Sequence, residues 1–466
     1  MRRALFLAPV ILVGLAAGAV WLSRPVPAQP DSPRNLVFVS IDTLRADHLR
    51  SYGYRRETAP GLSALARKGT LFTRAFACSS ATLPSHFTMM TGLHPRTHGV
   101  LKNEGTGSPE LVTLAEVLRT AGFSTAAFVG SSILSAATGM NQGFEVYSDD
   151  MTSYFSRGVY KGTDVPPEWR FARPFDPGVE VPAEDVLDRA LTWVNGHAKT
   201  RFFLFVHLYD PHNSYLPPPG FRRTFVSPNG DDLQRLRDLY DCEIFYADRQ
   251  LQRLWQALEK RRLLDNTLVV VTGDHGEGLG AHQYLLHVLR VYDEELHVPL
   301  LVSGSGVAKR KIPALVDLAD LFPTLLDLLK VTAPPNEGRD LVPLIRGQQA
   351  QLARGFIYGQ RFASQYPIRS FLLDGTPQDD PLTLRYLRSD KAKLLAPSPG
   401  GPILFDLASD PGESRNVAAQ QPLLTEEYAR LLNRPLEKAL PAVAPGGRAL
   451  TPEERERLRS LGYLAD

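Results

Sequence analysis

Leu36-Val37-Phe38-Val39-Ser40-Ile41-Asp42 carries the fold of this chain. A strand with one face in water alternates apolar and polar residues. This run does not alternate, which fits a strand buried on both faces of a parallel sheet. Two further runs share its grammar. Phe202-Phe203-Leu204-Phe205-Val206 is followed by His207, Asp210 and His212, and Leu268-Val269-Val270-Val271-Thr272 by Gly273, Asp274 and His275. Ligands of open α/β sheets bind beyond the carboxyl ends of the strands. Three distant segments would therefore bring acids and imidazoles to one sheet edge, as a metal site requires.

Outward from these runs the chain alternates strand and helix. Short helices are predicted over 60–68, closed by Gly69, and 111–120, closed by Gly122 and followed by a strand over 124–129. Val186, Leu187, Ala190, Leu191 and Val194 recur at helical spacing within 183–197. Residues 233–263 form a long amphipathic stretch, and 316–329 another, interrupted at Pro323. This alternation predicts an α/β catalytic domain over 35–345. Beyond Arg346 the pattern changes to short extended segments at 385–387, 393–395 and 403–407, with helices near 423–437 and 452–460. That predicts a small antiparallel C-terminal subdomain over 346–466.

The 466 residues carry a net charge of +2, which gives no footprint for nucleic acid. Arg2 and Arg3 precede an uncharged apolar stretch, Ala4 to Leu22, and a Pro-rich tether. Residues 1–34 read as a signal peptide or a retained membrane anchor, with Val26-Pro27-Ala28 a tolerable cleavage site. The basic start predicts an exported, extracytoplasmic enzyme, with membrane contact through residues 4–22 if uncleaved. Cys78 and Cys242 are compatible with a disulfide or with two buried thiols.

Ala81-Thr82-Leu83-Pro84-Ser85-His86 opens a helix, with Pro84 in its first turn. Thr82 alone reads as an N-cap. A helix N-terminus also attracts anions, and a hydroxyl placed there beside a metal is a nucleophile for a phosphate or sulfate centre.

Taken together, these segments resemble the sulfatase branch of the alkaline phosphatase superfamily over about residues 35–345. The motifs appear in family order: Val39-Ser40-Ile41-Asp42-Thr43-Leu44-Arg45-Ala46-Asp47-His48-Leu49, the Thr82 segment through Thr91-Gly92, His98-Gly99-Val100, Val206-His207-Leu208-Tyr209-Asp210-Pro211-His212, and Val271-Thr272-Gly273-Asp274-His275-Gly276-Glu277. Leu404-Phe405-Asp406-Leu407 through Asp410-Pro411-Gly412-Glu413 resembles the C-terminal subdomain of such proteins. The implied fold is a mostly parallel sheet flanked by helices. One departure matters for chemistry. The family's Cys/Ser-x-Pro-x-Arg, matured to formylglycine, reads Thr82-Leu83-Pro84-Ser85-His86 here. A threonine nucleophile is instead similar to phosphoethanolamine transferases, lipoteichoic acid synthases and nucleotide phosphodiesterases of the same superfamily.

The resemblance implies one divalent ion held by Asp42, Thr82, Asp274 and His275. The mixed oxygen–nitrogen donors suit Zn²⁺ or Mn²⁺ better than Ca²⁺ or Mg²⁺, and Thr43 stands where the family has a second acid. It also implies that His212 and His287 contact the transferred group and protonate the leaving oxygen. His86, in place of the family arginine, would steady the nucleophile or the anion. Asn103 would donate to a phosphoryl oxygen, with Lys102 beside it, although a lone lysine is commonly a solvated surface charge. His207 reads as a buried histidine orienting its loop. His48, His94, His98, His197 and His297 read as structural or exposed, with His282 the candidate exception. Tyr147, Tyr154, Phe155, Tyr160 and Trp169 are candidates for a pocket holding a sugar or lipid headgroup. The implied enzyme acts on a small anionic ester, a phosphate mono- or diester or a sulfate ester, as hydrolase or transferase. A sulfatase working without formylglycine, or a catalytically silent envelope protein that binds glycans or lipids, are the alternatives.

Overall fold

Every residue of Asn35–Ile41 is buried, as the unalternating run requires. The computed structural model describes residues 34–152, 179–213, 215–352, 354–362, 370–371, 377–378, 383–433, 442–444, 451–453 and 455–456. Its main sheet has eight strands: β1 (Asn35–Ile41), β2 (Thr70–Phe76), β3 (Ser124–Val129), β4 (Val146–Ser148), β5 (Phe202–Leu208), β6 (Thr267–Gly273), β7 (His297–Ser303) and β8 (Arg310–Asp317). Their spatial order is β4-β3-β5-β1-β6-β7-β2-β8. The three runs singled out in the sequence are thus the adjacent central strands. Ile41 lies level with Leu208 on one side and Gly273 on the other, so the residues that follow all three strands emerge together. Only β7 opposes its neighbours β6 and β2; every other pairing is parallel.

Helices cover both faces because their apolar stripes face the sheet. Ala183–His197 buries Val186, Leu187, Ala190 and Val194 as its spacing predicts, with Trp193 buried in place of the half-buried Leu191. The helix expected from residue 111 begins at Leu114, because Thr113 and Glu116 form a reciprocal capping box. The stretch 316–329 is corrected in its first part. Residues to Asp317 belong to β8, Asp317 caps the next turn through the Ala319 N–H, and the helix is Leu321–Leu328. Pro323 sits in that helix's first turn and interrupts nothing.

The C-terminal region forms a four-stranded antiparallel sheet from Phe356–Arg361, Thr383–Ser389, Ala392–Ser398 and Ile403–Asp406, covered by the helix Pro422–Leu432. Leu387, Leu394, Leu404 and Tyr428 build a small core of its own. A buried ion cluster ties it to the catalytic region. Lys393 reaches Asp293 at 2.9 Å and Glu413 at 2.7 Å, and Arg388 reaches Asp293 at 2.8 Å. Cys78 and Cys242 are both free and buried, so the disulfide reading is set aside. The N-terminal segment to residue 33, Tyr154, Phe155, Tyr160, Trp169 and most of the helix expected near 452–460 lie outside the described residues.

Candidate active site

Asp42, Asp274 and His275 leave the carboxyl ends of β1 and β6 and converge. One ligand atom from each lies within 4.8 Å of the others, and all three residues are buried. Local backbone geometry fixes the carboxylates. Asp274 Oδ1 accepts from the N–H of Thr43 at 3.2 Å and of His275 at 2.8 Å. Thr43 adopts a left-handed φ of 53° to deliver that N–H. Asp42 donates its own N–H to the Leu208 carbonyl, and its Oδ2 accepts from His207 Nε2 at 3.2 Å. That leaves Asp42 Oδ1 and Asp274 Oδ2 buried with no hydrogen bond.

His275 completes the group. Its Nδ1–H donates to the Gly276 carbonyl at 3.0 Å, so Nε2 presents its lone pair to the cluster. Nε2 lies 3.2 Å from the Thr82 hydroxyl, 3.8 Å from Asp42 Oδ1 and 3.5 Å from Asp274 Oδ2. Two orphaned carboxylate oxygens, an imidazole lone pair and a hydroxyl therefore face one point. Burial pushes Asp42 up to about 6 and Asp274 up to about 7, the latter also raised by Asp42. Burial likewise pushes His275 down to about 4. A buried acid pair without a cation is costly, and it is the environment in which a divalent ion supplies the missing charge. The donor set fits such an ion.

Thr82 is buried at the start of the helix Thr82–Thr91, but Ala81 occupies the N-cap position and Thr82 is the first helical residue. Its side chain is therefore free of capping duty. The expected amide cradle is thinner than the sequence implies. Asn103 Oδ1 already accepts the Leu83 N–H at 2.9 Å, Pro84 has none, and the Ser85 N–H bonds to Ala81. Holding an anion falls to side chains instead. Asn103 Nδ2 is buried with no partner, a donor beside the nucleophile's helix turn.

The structure brings His212 and His287 to the same site. The His287 ring packs 4.5 Å from His275, and the His212 ring 4.9 Å from His287. Burial opposes a charge on His287, but Glu277, at 3.1 Å from Nδ1, overrides it and pushes the imidazole up to about 9. His212 is oriented by the Asn213 carbonyl and by Tyr209, whose ring stacks on it at 4.1 Å. His86 lies beneath the site. Its Nδ1–H donates to the Thr82 carbonyl at 2.7 Å, Nε2 accepts from Ser40, and burial pushes it down to about 3. It holds the carbonyl of the nucleophile's turn, and its Nδ1 also lies 3.6 Å from Asp274 Oδ2. Lys102 is half-buried, and among the described residues no bond joins its ammonium to the cluster.

Two contributors went unassigned in the sequence, His207 as the partner of Asp42 and Glu277 as the partner of His287. Position alone could have found His207, since it sits level with Ser40 in the neighbouring strand. The other histidines are structural: His48 pairs with Asp241, His94 with Asp317 and Glu337, and His98 with Thr88. His197 stacks on Trp193, and His297 bonds to the Thr73 carbonyl. His282 turns to Glu294, away from the cluster. Tyr147 bonds to the Leu134 carbonyl and packs on Phe144.

Comparison with known proteins places the chain in a family. The chain is 24% identical to arylsulfatase K of Gallus gallus, over 90% of this chain and 85% of that protein. Its fold matches the phosphonate monoester hydrolase of Agrobacterium radiobacter with a TM-score of 0.72 at 24% identity, over 90% of this chain and all of the other. A structure described in complex with its substrate D-glucosamine-2-N,6-O-disulfate matches with a TM-score of 0.70 at 20% identity, over 88% and 100% of the two chains. The Sulfatase family model matches residues 34–331, and the chain is accordingly a member of the sulfatase family, an ester hydrolase of the alkaline phosphatase superfamily.

Proposed function

We propose that this hydrolase cleaves a small anionic ester with Thr82 as nucleophile, through a covalent threonine ester. The observation that carries the reading is the Thr82 hydroxyl at 3.2 Å from His275 Nε2, beside two orphaned carboxylate oxygens. Asp42, Asp274, His275 and Thr82 would hold one divalent ion, with Zn²⁺ or Mn²⁺ the best fit to the donors. When bound, such an ion lowers the pKa of the alcohol and neutralises charge on the ester.

The chain's own residues divide the remaining work. Thr82 attacks as the alkoxide, its proton already lost to solvent, so that Oγ bonds the phosphorus or sulfur centre as the bond to the leaving oxygen breaks. His287, kept protonated by Glu277, gives that oxygen its proton. Water, or an acceptor alcohol, then attacks the threonine ester. Its proton returns to His287 or His212, and Thr82 is released. Asn103 Nδ2 donates to a non-bridging oxygen of the ester. A phosphate or phosphonate ester is the preferred substrate, because an unmodified threonine cannot form the aldehyde hydrate of formylglycine sulfatases. The family match supports the second reading, a sulfate ester. The glycan and lipid-headgroup classes remain the candidate carriers. The apolar stretch 4–22 supports export across the cytoplasmic membrane, as a cleaved signal or an anchor.

Turnover of p-nitrophenyl phosphate, bis-p-nitrophenyl phosphate and p-nitrophenyl sulfate, measured side by side on metal-loaded protein, ranks the substrates. Thr82→Ala should lower kcat on the best of them by roughly a thousandfold or more, with metal content retained. Activity near wild type in that variant contradicts the nucleophile assignment.

A further inference from the structure

The edge of the main sheet opposite the catalytic cluster is strongly basic. Parallel strands end at the cluster and begin at this basal edge, where Arg34 precedes β1, Arg201 precedes β5, and Lys309 precedes β8. Lys68 stands just before β2, and Arg262 before β6. Lys311 is the second residue of β8, level with Leu71. The pairing of Arg310 N–H with the Gly69 carbonyl, and of Arg34 N–H with the Asn266 carbonyl, stitches these segments into one rim. Lys68, Arg249 and Arg262 line a single groove there, together with Glu259, Asp265 and Ser303. Five strand spacings separate β5 from β8, so the rim is about 24 Å long.

These charges are not neutralised locally. Arg34, Lys68, Arg262, Lys309 and Lys311 are exposed. Arg201 is half-buried, its guanidinium 3.9 Å over the Phe123 ring and bonded to the Arg34 and Leu329 carbonyls. Among the described residues no carboxylate pairs with any of the six. The exposed acids Glu259 and Asp265 are too few to balance them.

We infer that the basal edge rests on an anionic lipid surface, beside the N-terminal apolar segment. This rests on the proposed export reading, with residues 4–22 retained as the anchor. The described chain begins at Arg34, inside the basic rim, and the tether from Ser23 to residue 33 can extend at most about 40 Å. Clustered Lys and Arg next to a membrane segment bind anionic headgroups. A seven-residue strand is about 23 Å long, so the catalytic cluster faces away from the bilayer at about that height. The ester it meets is then carried by a soluble or wall-borne molecule, not by a headgroup of the same membrane.

The test uses the full chain in proteoliposomes, with lysine acylation followed by peptide mass spectrometry. Phosphatidylcholine vesicles are compared with vesicles containing phosphatidylglycerol. Lys68, Lys309 and Lys311 should react about fivefold more slowly on the anionic vesicles at low ionic strength, and equally on both at about 0.5 M salt. Lys391, exposed in the C-terminal sheet, should not change. The Arg34→Glu/Arg262→Glu variant should hydrolyse esters normally and lose the protection. A chain that floats with phosphatidylcholine at high salt yet shows equal lysine reactivity on both vesicles overturns the inference and leaves the anchor standing. A chain that does not float there, but binds anionic vesicles at low salt, overturns the anchor and supports the surface. Binding to neither overturns both.

Discussion

Two buried clusters of acids and imidazoles in this molecule have the same ingredients and opposite bookkeeping. Around His94, every charge meets its partner. The ring lies 3.2 Å from both Asp317 and Glu337, Tyr358 bonds to it, and Glu337 also accepts from the His94 N–H and from Thr97. Burial alone would discharge this imidazole, but Asp317 and Glu337 push it up to about 9. Around His275, the acids outnumber the cations, two carboxylate oxygens have no partner, and the imidazole is pushed down to about 4. A self-satisfied cluster holds a fold together. A cluster with convergent unsatisfied atoms is built to receive something.

The contrast can be broken by substitution. Asp42→Asn should reduce turnover by more than about a hundredfold by weakening metal capture, while the metal-free variant unfolds at or above the temperature of metal-free wild type. Removing the charge of a buried carboxylate whose Oδ1 has no hydrogen bond relieves a desolvation cost, while the bond from His207 to the other oxygen is retained. A clear loss of stability in the metal-free variant would show that Asp42 is structural, like Asp317.

Glu337→Gln should do the reverse. Stability at neutral pH should fall by about 1–3 kcal/mol, with activity per folded molecule unchanged. The pH dependence sharpens the point. The folded pKa of His94, about 9, lies above the unfolded value of about 6.5. Its contribution is fully present below pH 6.5 and is lost as pH rises through about 9. Denaturant unfolding of wild type should lose on the order of 3 kcal/mol across that window. The Glu337→Gln variant should show a shallower slope, and an identical slope would exclude His94 as the titrating group.

The same contrast explains what could be read from the residues alone. β1, β5 and β6 were legible because strands buried on both faces carry unbroken apolar runs, and the residues that follow such strands are placed by topology. β7 was not singled out because Pro299 interrupts it, and the first half of β8 was hidden behind Lys311 and Pro313. Asp42, Asp274 and His275 were placed at one sheet edge by the strands they follow, whereas joining them with Thr82 as one ligand set rested on the family resemblance. The quieter roles of His86 and Glu277 depend on which side chains lie behind the cluster, and only packing decides that. The amide cradle was overestimated because Asn103, twenty residues downstream of Leu83, already occupies the Leu83 N–H.

Anomalous X-ray scattering from crystals equilibrated with Zn²⁺ or Mn²⁺ addresses the central claim most directly. One strong peak is predicted about 2.0–2.2 Å from the nearest oxygens of Asp42 and Asp274, from His275 Nε2 and from Thr82 Oγ. A peak elsewhere, or none in crystals of an enzyme that turns over its ester, would contradict it.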